Sequence, residues 1–165
     1  MFNTKEFNET LDTFYDKLFE ILQLYQNIIP ILKKELDCIL KDDIEVLNEC
    51  LKSLQALSLQ TKGFDKMTAK FLSELEIPAK NLTEMIPHLP EDKQPDFYSL
   101  LGQFQSTLKE VDFYKEKCND ILQTKLYTVE KKLSILTEQK GIKIYNHDGK
   151  GTEGTLLSKS FETTI

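Results

Sequence analysis

Residues 96–139 read DFYSLLGQFQSTLKEVDFYKEKCNDILQTKLYTVEKKLSILTEQ. The stretch holds no proline and one glycine, Gly102. Leu101, Phe104, Leu108, Val111, Tyr114, Cys118, Ile121/Leu122, Leu126, Val129, Leu133 and Leu136 follow one another three or four residues apart. That spacing predicts one amphipathic helix, about 66 Å long at 1.5 Å per residue. An isolated helix with such a stripe is marginal in water, so other parts of the chain or a partner must cover it.

Upstream, a second long helix is expected from Asn3, a favourable N-cap with Glu6 at the third helical position. Phe7, Leu11, Phe14/Tyr15, Leu18, Ile21/Leu22, Tyr25, Ile28/Ile29, Leu32, Leu36 and Ile39/Leu40 carry its stripe. The doubled sites make the stripe wider than a two-stranded seam and favour a bundle. Pro30 predicts a kink or a break, and the unbroken apolar phase favours the kink. Lys41-Asp42-Asp43 interrupts the stripe, and Asp42 followed by Glu45 reads as a new N-cap. A helix is therefore expected from about residue 43 to Leu75, weakened in its middle by Gly63. One unbroken helix through residues 41–43 is the alternative. Pro78, Pro87, Pro90 and Pro95 mark the connection, with a short helix over Ala79 to Met85 that should stop before Ile86, the residue preceding Pro87.

The expected fold is all-α: an antiparallel, coiled-coil-like bundle of three long helices with a short extra helix in the connection. Lys140-Gly141 closes the last helix. The boundaries are a bundle domain over residues 1–140 and a flexible C-terminal tail over residues 141–165, which is rich in Gly, Ser and Thr and has no helical period.

Composition restricts the function. The chain has 165 residues, a net charge of −6 and 40% hydrophobic residues. No run of basic residues offers a nucleic-acid face. No apolar run is long enough to insert stably in a membrane, and the N-terminus lacks a secretory pattern, so a soluble cytoplasmic protein is expected. Cys38, Cys50 and Cys118 have no metal-ligand spacing and sit on or beside apolar stripes, as buried thiols of a reducing compartment do. His88 and His147 lack partners at helical spacing, and no helix carries Glu-x-x-His. No cofactor or metal is expected, and no enzyme. Phe113 and Tyr114 are consecutive and point about 100° apart on a helix, so one of them is free to line a second surface. Exposed aromatic area beside an apolar stripe suits an amphipathic helix from a partner.

A helical bundle, a long C-terminal helix and a tail with Tyr-x-x-x-Gly together resemble the FlgN family of flagellar export chaperones. The tail residues are Ile144-Tyr145-Asn146-His147-Asp148-Gly149-Lys150-Gly151. Cys118-Asn119-Asp120-Ile121-Leu122 is similar to the family's Asn-x-x-Asn and apolar pair, with Glu116 where the family has its first Asn. Glu35, Asp42/Asp43, Leu47, Lys52 and Lys62 resemble its N-terminal helix with a polar break. The resemblance covers nearly the whole length. It implies a cytoplasmic chaperone that caps the C-terminal amphipathic helix of hook-associated (hook-filament junction) proteins and delivers them to the export gate. On this reading the client helix meets Phe113, Tyr114, Cys118, Ile121, Leu122, Leu126 and Val129, and Tyr145 docks on the gate component. The competing expectation is a structural coiled-coil or adaptor protein that self-associates through the same stripe; a homo-oligomer is compatible with either.

Overall fold

A computed structural model describes residues 3–140, and the description below covers those residues. Every regular element in them is helical: α1 Thr4–Lys41, α2 Ile44–Thr61, α3 Phe64–Glu74, α4 Leu82–Met85, a 3-10 turn Ile86–His88, and α5 Gln94–Lys140. The tail over 141–165, including Tyr145, lies outside the described residues.

α1 begins as its sequence predicts. Asn3 is the N-cap and its side-chain oxygen accepts from the Lys5 amide at 3.4 Å. The helix then runs 38 residues and passes through Pro30 without ending. Pro30 and Gln26, whose carbonyl loses its amide partner, both lie on the exposed side. Water can satisfy that carbonyl, while Ile28 and Ile29 keep the buried face intact.

Two residues make the turn to α2. Asp42 takes the left-handed conformation, φ 58°, and closes α1; Asp43 caps α2, accepting from the Val46 amide at 3.3 Å. The cap expected at Asp42 thus sits one residue later. The helix expected to run on to Leu75 is split. Lys62 is extended and Gly63 adopts φ 93°, so α2 ends at Thr61 and α3 starts at Phe64. The positive φ needs glycine, so Gly63 is the break itself rather than a weak spot in a continuous helix. Ile86 is a second departure. It keeps helical angles, φ −56° and ψ −43°, although Pro87 follows it. The chain tightens there into a 3-10 turn whose Leu89 amide donates to the Ile86 carbonyl at 3.0 Å, and Pro87 sits near its start, where no amide is needed.

Cross-helix contacts fix the topology. Asp12 pairs with Lys93, Tyr15 packs edge-on to Phe97, Lys33 pairs with Glu110, and Lys125 donates to the Ile39 carbonyl. Sequence positions rise together in these pairs, so α1 and α5 run parallel. Phe14 stacks on Phe71, which makes α2 and α3 the antiparallel return. The bundle is up, down, up, with α1 packed between the return strand of helix and α5.

Its core concentrates in the upper half. Leu11, Phe14, Leu18 and Leu22 of α1 meet Phe64 and Leu72 of α3, Met85 and Ile86 of the connection, and Phe97, Leu100 and Phe104 of α5. Thr68 is a flaw in this packing: it is 1% exposed and, among the described residues, its hydroxyl has no hydrogen-bond partner. Thr68→Val keeps the shape and removes the orphaned hydroxyl. It should raise stability by about 1 kcal/mol, read from the urea midpoint. A lower midpoint would show that the hydroxyl is satisfied in solution.

Candidate functional site

The two long helices differ in length, and their register decides where apolar surface remains. α1 has 38 residues and α5 has 47. α5 starts about two turns further along, beside Asp12 and Tyr15, and runs parallel to α1, so it overshoots the end of α1. The last tie is Lys125, whose ammonium donates to the Ile39 carbonyl at 2.6 Å and also reaches the Asp42 carboxylate. Beyond it, residues 126–139 extend about 21 Å past the α1–α2 turn. All of them but Thr137 are exposed.

That overhang is not polar. Leu126 is 55% exposed, Val129 51%, Leu133 45% and Leu136 47%, with Leu122 at 41% just above the tie. At 100° per residue these five side chains share one face of α5, the same face on which Phe104, Val111 and Cys118 are buried higher up. The covered seam and the open seam are thus one stripe. It changes state where α1 ends.

The expected site residues distribute unevenly on this geometry. Leu122, Leu126 and Val129 lie on the open seam, and half-buried Ile121 and Tyr114 lie on one flank of it. Lys33 stands 5.3 Å from the centre of the Tyr114 ring. Cys118 is 3% exposed, with its sulfur 3.7 Å from the Leu32 carbonyl. Burial pushes its thiol pKa up to about 12, so α1 already occupies the place at that level. Phe113 is half exposed, but it lies nine residues from Leu122, which puts it on the opposite side of the helix. Its ring meets Tyr114 edge-on at 5.2 Å and Lys117 at 4.9 Å. Tyr145 is outside the described residues. Leu133 and Leu136 complete the open seam and were expected only as part of the stripe. Their spacing was the available signal; the point at which α1 stops was not readable from it.

Just above the overhang, charge is buried between the helices. Glu35 is 6% exposed, and desolvation raises its pKa above the ordinary carboxyl value, partly offset by Lys115. The Lys115 pKa is lowered, first by burial, while Asp112 and Glu35 act in the other direction. For Glu35 the folded pKa exceeds the unfolded one, so the unfolded chain releases that proton first as pH rises. Its contribution to stability therefore falls from the normal carboxyl range up to the raised folded value. Glu35→Gln should remove this decline, seen as a smaller drop in urea midpoint between pH 4 and pH 7 than in the parent. An equal drop in both would place the carboxylate in water.

Among the described residues no group of three His, Cys, Asp or Glu could hold a metal ion, and no helix is long and apolar enough to cross a membrane. What the geometry offers is a helix-length apolar seam beside a rigid bundle. A family model described as FlgN protein matches residues 1–153. The chain belongs to the FlgN family. Membership assigns it the general role of a flagellar export chaperone, with flagellar proteins as its partners. The match runs through the overhang and past Tyr145, so both parts of the expected site fall within the FlgN region. No curated protein and no solved structure gives a significant match to this FlgN chain.

Proposed function

We propose that this FlgN-family chaperone binds the C-terminal amphipathic helix of hook-associated proteins along the open seam of α5, in the cytoplasm, and delivers them to the export gate. The observation that carries the proposal is the open seam, on which Leu122, just above the overhang, and Leu126, Val129, Leu133 and Leu136 along it stay about half exposed. A client helix laid there continues the line of α1 and covers the seam as α1 does above. Such a groove reads its ligand through anchors three and four residues apart. About four turns of client helix match the length of the overhang. Tyr114 and Ile121 flank the entry to the seam. Cys118 supports the site from beneath α1, and Phe113, on the far side, is left to a second contact.

Tyr145 is the proposed docking residue for the export-gate component. Calorimetric titration of the full chain with peptides from the C-terminal helices of hook-associated proteins tests the capture step. Binding at micromolar Kd or tighter is expected for at least one of them, and no binding to any sinks the proposal. Tyr145→Ala separates the second step: capture and unfolding midpoint should be unchanged, while secretion of the client falls. A loss of thermal stability in that variant would make Tyr145 a packing residue instead.

A further inference from the structure

The open seam has a polarity that its apolar residues do not carry. Leu122, Leu126, Val129, Leu133 and Leu136 follow one line of α5, and the next step of four falls on Lys140. Lys125 and Lys132, seven positions apart, border one flank of that line, about 60–80° from it. The other flank carries Gln123, Glu130 and Thr137, and position 138, a glutamate, falls on the far side. By position, the charges on and beside the seam at the tip of the overhang are basic.

At the opposite end of the seam the α1–α2 turn is acidic. Asp37 is paired with Lys41 and Asp42 with Lys125. Asp43, Glu45 and Glu49 are all exposed, and residues 42–51 hold no basic residue. The negative pole of α1 ends at the same turn.

We infer that the client helix lies parallel to α5, with its amino end at the α1–α2 turn and its terminal carboxylate at Lys132 and Lys140. The inference rests on the proposed capture of a client in this lane; it adds the direction of the client and the end that is read. A helix is positive at its amino end and negative at its carboxyl end. In the parallel arrangement both poles meet opposite charge. Reversal sets the carboxylate against Asp43 and Glu45 and the amino end against two lysines. The seam from Leu122 to Leu136 spans about 21 Å, the length of roughly fourteen residues of helix. A helix that closes its chain within that length brings its carboxylate to the tip. An internal helix with the same apolar pattern has no carboxylate to offer there and binds more weakly. The ligand class is a chain-terminal amphipathic helix with a free carboxylate.

Calorimetric titration of the full chain at low salt, with each hook-associated C-terminal peptide as free acid and as C-terminal amide, tests the inference. The free acid should bind about fivefold tighter than the amide. In Lys132→Glu/Lys140→Glu protein, with helical signal unchanged, that difference should shrink below about twofold. A benzophenone on the first turn of the peptide should crosslink to residues 39–46 or 121–126, and one on the last turn to residues 132–140. Equal affinity of acid and amide, or a difference that the double variant keeps, overturns the reading of the carboxylate. Exchanged crosslinks overturn the direction. In each of these cases the peptide still binds and the capture proposal stands. Absence of binding by both forms of every peptide overturns capture and this inference together. Hydrogen-exchange protection over 126–139 that no peptide increases gives the lane to residues 141–165 or to a second copy, and likewise overturns it.

Discussion

Leu126→Asp/Leu133→Asp is expected to lower affinity for a client helix at least about 100-fold while the unfolding midpoint stays within about 2 °C of the parent. The two halves of that expectation come from one fact. Both leucines are about half exposed in the free chain, so the fold gains little from them. In the proposed complex they would be buried beneath a client, and a carboxylate there must be desolvated without a partner or neutralised. Each aspartate alone suffices to cost about 2 kcal/mol or more at the centre of a seam. Phe113→Asp is the internal control. Phe113 is as exposed as Leu126 but lies about 180° from the seam, so its change should leave client affinity within about threefold. Titration of the three proteins with one client peptide decides the matter. If Phe113→Asp proves the damaging variant, the client lies on the other face of α5.

The helices were legible because their stripes are long and regular. Asn3 and the change of stripe at residues 41–43 gave the ends of α1 to within a residue. Gly63 was legible as a weakness but not as a break. The sign of φ at a glycine follows from where the flanking helices must go, and α3 has to lean Phe64 and Phe71 toward Phe104 and Phe14. Ile86 misled for a related reason. A residue before proline prefers extended angles, but burial of Ile86 at 1% exposure outweighs a local preference of that size.

The site was legible only in part. Cys118 and Leu122 stand four residues apart on one stripe, with nothing in their spacing to separate them. One is 3% exposed and the other 41%: Cys118 lies at the level of Leu32, well inside α1, and Leu122 lies one turn before the Lys125 tie to Ile39, where α1 nears its end. That difference is a matter of register between two helices distant in sequence. Register is set by contacts such as Asp12 with Lys93 and Lys125 with the Ile39 carbonyl, which periodicity does not encode. Phe113 and Tyr114 were grouped by being aromatic and adjacent, and helical geometry then placed Phe113 on the side away from the seam.

Phe104→Ala should cost about 3–5 kcal/mol, a large share of the roughly 5–15 kcal/mol available to a domain of this size. Phe104 is 0% exposed and its ring lies 6.0 Å from that of Phe64, at the level where α1, α3 and α5 meet. Removing it loses apolar transfer energy and leaves a cavity between helices that cannot close without shifting one of them. Urea unfolding followed by circular dichroism measures the loss. If the alanine variant does not fold, Phe104→Leu should still fold and lose about 1 kcal/mol or more. A loss below about 1 kcal/mol for alanine would mean that the upper half of α5 is not held as described. The comparison with Leu133 is the point of physical interest. Phe104 and Leu133 lie on one face of one helix, 29 positions apart, an interval that returns to nearly the same direction at 100° per residue. Truncating the first should remove a large share of the bundle's stability, and truncating the second should leave that stability nearly unchanged while weakening the proposed partner contact. On the proposed function, the same apolar stripe stabilises the chain where α1 covers it and would receive a partner where α1 has ended.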